Sequence, residues 1–83
     1  MKLYTNLPPP AKEDIKEERE IFNELWAILK RFYFIENQDE IWESLIRETT
    51  ETYNKHKCQL AKGMILAIIN HLEKLSKNRQ NQN

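Results

Sequence analysis

The sequence predicts an all-α fold, a small three-helix bundle. Of its 83 residues only one is Gly and three are Pro, and the three Pro stand together at positions 8–10. A β-fold needs frequent turns, so this scarcity of turn-forming residues excludes it. The middle of the chain is rich in Leu, Ile, Lys, Glu, Gln and Arg, most of which favour helices. A chain of this length holds one domain with one small core.

The N-terminal segment, residues 1–10, is predicted to be an extended, proline-rich arm. Pro8, Pro9 and Pro10 favour polyproline II geometry, and Pro10 suits the first position of a helix, where a missing N–H costs nothing. Helix 1 is then expected over residues 11–34. At 100° per residue its apolar stripe is centred on Phe22, Leu25, Trp26, Leu29, Phe32 and Tyr33.

Helix 2 is expected over residues 38–54. Asn37 is a good N-cap residue, and Glu40 three positions later completes a variant of the capping box. The apolar side of this helix is expected to consist of Ile41, Trp42, Leu45, Ile46, Thr49 and Tyr53.

Helix 3 is expected over residues 58–76, and its core side to consist of Ala61, Met64, Ile65, Ile68, Leu72 and Leu75. The segment 54–57 decides the architecture. A break there folds the chain back into a three-helix bundle; without one, helices 2 and 3 form one long helix, and a helical hairpin completes its core by dimerising. We favour the break. Residues 77–83 are predicted to be a disordered polar tail.

The compartment follows from cysteine usage and hydropathy. Cys58 is the only cysteine, so no disulfide can form within the chain, which favours a reducing compartment. The first residues lack the apolar segment of a signal peptide, and the longest apolar run, 64–69, is far too short to span a membrane. We therefore expect a cytoplasmic protein with no membrane association. The excess of Ile, Lys, Asn and Glu is typical of an AT-rich bacterial or phage genome.

Reactive groups are few, and their spacing favours no catalytic or metal site. His56 and Cys58 are two positions apart, so on a helix they would point to nearly opposite sides. Structural zinc usually takes four Cys or His ligands, and His71 brings the number available to three. A single Gly excludes a glycine-rich phosphate loop. We expect a protein without enzymatic activity, catalytic residues, bound metal or cofactor.

Apolar residues beyond the predicted core indicate an interaction surface. By the expected helix phase, a row spaced by seven residues lies along one edge of helix 1, and two residues of helix 3 point away from its core side. Exposed apolar patches usually mark interfaces. The leading hypothesis is a protein–protein interaction module, a homodimer or an adaptor or inhibitor of a foreign protein. The predicted interface comprises Ile21, Ile28, Ile35, Leu66 and Ile69.

Charge is divided unevenly along the chain, although the whole chain is neutral. Residues 1–54 contain seven Lys or Arg and twelve Asp or Glu, a balance of −5, whereas residues 55–83 contain six and one, a balance of +5. A basic surface can bind the phosphates of nucleic acid. The alternative hypothesis is therefore a nucleic-acid-binding accessory protein that uses Lys55, Lys57, Lys62, Lys74, Lys77 and Arg79.

Overall fold

The computed structural model describes residues 8–36 and 38–81 and contains three helices: α1 (Lys16–Phe32), α2 (Asp39–His56) and α3 (Gln59–Asn81). Each helix packs against both of the others, and the described residues form no strand. The predicted three-helix bundle is confirmed. None of the described helices is long and apolar enough to cross a membrane.

The first helix begins five residues later than predicted. Residues 12–15 form a turn, in which the Asp14 carboxylate accepts a hydrogen bond from the N–H of Ala11 at 3.0 Å. Ile15 then leaves helical geometry, with φ −116° and ψ 21°, and α1 follows it. Pro8–Pro10 are exposed and non-helical, as expected of the arm, whose residues 1–7 lie outside the described part of the chain.

The second helix starts one residue after its predicted position. Gln38 is extended (φ −120°, ψ 123°), and its carbonyl accepts the N–H of Ile41 at 3.1 Å. Asp39 and Glu40 occupy the first turn, where the helix dipole favours negative charge. The predicted N-cap, Asn37, is outside the described residues.

The break between α2 and α3 falls at Lys57, within the predicted segment. Lys57 adopts the left-handed conformation (φ 43°, ψ 51°), and its N–H donates to the carbonyl of Tyr53 at 2.6 Å. This geometry is usually supplied by Gly, because a Cβ is strained there. The turn reverses the chain and brings α3 back against α1 and α2.

The third helix is longer than predicted. It continues to Asn81, so residues 77–81 are helical and their assignment to a disordered tail is wrong; residues 82–83 lie outside the description. Arg79 accounts for part of the extension, because its guanidinium donates to the carbonyls of Tyr33 (2.6 Å) and Ile35 (3.2 Å). These bonds tie the end of α3 to the end of α1.

The core corrects the predicted phase of helix 1. The buried residues of α1 and the segment after it are aliphatic apart from one Phe, and the core consists of Ile21, Leu25, Ile28, Phe32, Ile35, Leu45, Ala61, Ile65 and Leu72. Phe22, Trp26 and Tyr33, expected at the centre of the stripe, are exposed instead. The true centre of the apolar face lies on the isoleucine row that the prediction had assigned to an edge.

Candidate interaction surfaces

The predicted interface row on helix 1 is interior. Ile21, Ile28 and Ile35 are only 1%, 5% and 3% exposed, because α2 and α3 cover this side of α1. They form the centre of the core, so they cannot offer an exposed surface in the folded chain. The error arises because α1 carries two apolar rows. Helical periodicity alone does not say which row the other helices cover.

The exposed row of α1 and its C-cap residue form an aromatic stripe, which we define as Phe22, Trp26 and Tyr33. These side chains are 52%, 58% and 40% exposed. Their spacing of four and seven residues puts them on one side of the helix, roughly 110° around from the buried row. A stripe of three large aromatic side chains is unusual on a surface whose remaining α1 positions are mostly charged or polar, and aromatic residues are enriched at protein interfaces.

Two cations lie over rings of the aromatic stripe and of the neighbouring Phe34. The Lys30 ammonium is 5.6 Å from the Trp26 ring centroid, and the Arg79 guanidinium is 5.6 Å from that of Tyr33 and 5.1 Å from that of Phe34. Cations within about 6 Å of an aromatic face are attracted to its negative potential. The stripe is therefore an apolar surface with positive charge at its margin.

A second apolar surface is the α2/α3 groove, which lies between α2 and α3. Leu66, one of the predicted interface residues, is 53% exposed here, and Ile69 is half-buried against the core. Leu66 points away from the core as predicted, whereas the same prediction for Ile69 is wrong, because Ile69 packs against the core. The groove is lined by Ile46, Thr49, Thr50, Tyr53, Lys62, Ile65, Leu66 and Ile69.

Two of the six basic residues of the nucleic-acid hypothesis are engaged within the bundle. Lys55 makes an ion pair with Glu24 at 3.1 Å, and Arg79 binds two backbone carbonyls. Lys57 lies in the turn after α2, and Lys62 lines the α2/α3 groove. The two remaining side chains, Lys74 and Lys77, are exposed on α3.

An ionic cluster connects the first half of α1 to the end of α2; we call it the His56 cluster. His56 Nε2 is 3.0 Å from a Glu24 carboxylate oxygen, and His56 Nδ1 is 3.7 Å from one of Glu17. The His56 side chain is only 3% exposed. His56 is the last residue of α2, immediately before Lys57, and its ring lies where the helix dipole favours positive charge.

Glu24 is the central acceptor of this cluster. Burial raises the pKa of Glu24, but hydrogen bonds from His56 and Lys55 outweigh burial and hold the pKa below its ordinary value of 4.5. Ligand atoms of Glu20, Glu24 and His56 lie within 4.8 Å of one another, a spacing that a divalent cation could bridge. The Lys55 ammonium already neutralises Glu24 at 3.1 Å, so ion pairing accounts for the arrangement.

The sequence pattern indicated His56 only as a partner for Cys58 or as a zinc ligand, and its link to α1 was missed. The link joins residues 32 positions apart, and no local spacing encodes it.

Comparison of the chain with protein families, with curated proteins and with solved structures finds no match.

Proposed function

We propose that this protein is a non-enzymatic interaction module that binds another protein through the aromatic stripe of α1. The observation that carries the proposal is the exposure of Phe22, Trp26 and Tyr33 in one row. Trp and Tyr are the side chains that most often dominate binding energy, because each buries a large area at low entropic cost. The exposed parts of these three rings bury no apolar surface within this chain.

The margin of the stripe indicates the chemistry of the partner. Lys30 lies over the Trp26 ring, so a partner segment with an apolar anchor beside Asp or Glu would gain both a ring contact and a charge pair. An amphipathic helix with acidic flanks fits this description, since it can place its anchors along the stripe at spacings of three and four residues.

Other parts of the proposal rest on the sequence. The absence of catalytic activity is an expectation from the few reactive groups, and the buried His56 is engaged with two carboxylates of α1. The cytoplasmic location rests on the single cysteine, and the bacterial or phage origin on amino-acid composition.

Nucleic-acid binding remains the weaker candidate. It needs basic side chains that converge on one surface, and two of the six predicted ones are engaged within the bundle. The aromatic stripe itself could stack bases, as in proteins that bind single strands. We favour a protein partner because the stripe borders half-buried aliphatic side chains of the core, such as Leu29, and has few cations.

The test is site-specific photocrosslinking in the cells that naturally produce the protein. A photoreactive amino acid replaces Phe22 or Trp26, and a matched control replaces Glu40, which is exposed on α2. We expect adducts from positions 22 and 26 that protease removes and nuclease does not, and none from position 40. Adducts that nuclease removes would overturn the proposal in favour of nucleic acid. A lack of adducts, or the same adducts from position 40, would also overturn it.

A further inference from the structure

One side of α3 carries a row of residues that is basic at one end, acidic at the other and apolar between. Two such rows match each other when the helices run antiparallel. The row, which we call the α3 seam, comprises Lys62, Leu66, Ile69 and Glu73, spaced by four, three and four residues. This is the spacing with which one helix packs along another. Its first three members line the α2/α3 groove, and Glu73 follows one turn later as an exposed residue.

We propose that a second copy of this chain covers the α2/α3 groove, with the two α3 helices antiparallel along their seams. A two-fold axis between Leu66 and Ile69 sets Leu66 of each copy against Ile69 of the other. The same axis sets each Lys62 against Glu73 of the second copy. The contact therefore has an apolar centre and an ion pair at each end.

The charges of the seam lack partners within the described chain. Among the described residues, the ion pairs involve Glu17, Glu24, Arg31, Glu48, Lys55 and His56, and none includes Lys62 or Glu73. Lys62 and Glu73 are eleven positions apart, roughly 17 Å along a helix, so they cannot pair in one copy. Only a neighbouring chain can join them.

The area available is sufficient for a dimer. The 18 residues of α2 span about 27 Å, and two packed helices present a face roughly 20 Å wide. The face therefore measures roughly 500 Å² on each copy, or about 1,000 Å² in total, which is the lower limit for a specific interface. Ile46 and Tyr53, at 48% and 37% exposure, contribute apolar surface on the α2 side.

This proposal does not depend on the aromatic stripe. The two surfaces share no residue, so a dimer formed through the groove would leave both stripes open and present two equivalent binding surfaces. Failure of either proposal leaves the other in place, because crosslinking tests position 26 and the following experiment tests the seam.

The experiment measures the solution mass by light scattering over a series of protein concentrations. The wild-type chain should reach about 20 kDa, twice the 10.1 kDa of one chain. Lys62→Glu and Glu73→Lys should each weaken association about tenfold, because each sets like charges together twice. The double variant Lys62→Glu/Glu73→Lys should restore it. Lys74→Glu, on α3 but about 100° around the helix from the seam, is the matched control and should leave the mass unchanged.

Two results would overturn the proposal. One is a mass near 10 kDa at every concentration of the wild-type chain. The other is a dimer whose mass is insensitive to the single reversals, or which the double variant fails to restore, because either would place the contact elsewhere. Circular dichroism of each variant checks that it is folded; these positions are largely outside the core, and we expect helicity equal to wild type.

Discussion

The two apolar rows of α1 differ in where the bundle places them. Ile21 is 1% exposed, whereas Phe22, the next residue, is 52% exposed. Along the helix the same contrast recurs between Ile28, which is buried, and Trp26, which is not. Both rows are apolar and both follow helical spacing, so hydrophobicity alone does not separate inside from outside.

The buried row contains no side chain with a polar atom, whereas the aromatic stripe contains Trp26 and Tyr33. A three-helix core of this size is narrow, and aliphatic side chains fill it in ordinary rotamers. Trp and Tyr have a polar atom that must find a partner if buried, and their rings can be shielded at the surface by the stems of long cations. Lys30 over Trp26 and Arg79 over Tyr33 supply that shielding.

The largest expected effect comes from placing a charged side chain in the buried row of α1, compared with the same change in the exposed α2/α3 groove. Ile28→Glu should unfold the protein, because an unpaired carboxylate in the core costs more than a small domain can lose, about 4 kcal/mol or more. Leu66→Glu should keep its helicity and lose only association. Circular dichroism together with light scattering distinguishes the two. Folded Ile28→Glu protein would contradict the placement of the isoleucine row.

The fold was predictable because its determinants are local. The lack of turn residues, the periodicity of each helix and the polar segment before Cys58 predict three helices and their order. The end of α2 was predictable only to within residues 54–57, because the left-handed position is occupied by Lys57 and not by a glycine that would mark it in the sequence. The end of α3 was not, because Arg79 is held by carbonyls of residues more than forty positions away.

Acid should loosen the contact of α1 with α2. The pKa of Glu24 is lowered in the folded chain, so its contribution to stability is present above the pKa of the unfolded chain and is lost as the pH falls from about 4.5 through the folded value. Glu24→Gln should therefore reduce stability at neutral pH and weaken its dependence on acid. Urea unfolding at a series of pH values measures this. An acid dependence equal to that of wild type would contradict the role given to Glu24.

A smaller effect is expected at the turn between α2 and α3. Lys57→Gly should raise the free energy of unfolding by about 1 kcal/mol, because Gly removes the strain of a positive φ. Urea unfolding gives the value, and Glu43→Gly, at an exposed position inside α2, is the matched control that should lower it. Destabilisation by Lys57→Gly would mean that the lysine side chain has a role that its backbone geometry does not show. The change leaves both rows of α1 untouched.

The surfaces were only partly predictable. Leu66 was identified because it points far from the core side of helix 3. Its direction around the helix axis follows from the sequence and does not depend on neighbouring helices. The aromatic stripe was missed because its residues are also large hydrophobic side chains and follow the same helical spacing as the core. The His56 cluster was missed because it needs α1 and α2 to be docked. Such features become visible only once the helices are packed.

The most direct test of the central claim compares two neighbouring residues, Ile21→Ala and Phe22→Ala, by urea unfolding at low protein concentration. If the isoleucine row is the core and the aromatic stripe is available for binding, Ile21→Ala should lower the free energy of unfolding by about 2–4 kcal/mol. Phe22→Ala should lower it by less than about 1 kcal/mol. The reverse order, with Phe22 the costlier residue, would mean that the aromatic row is interior and would contradict the account.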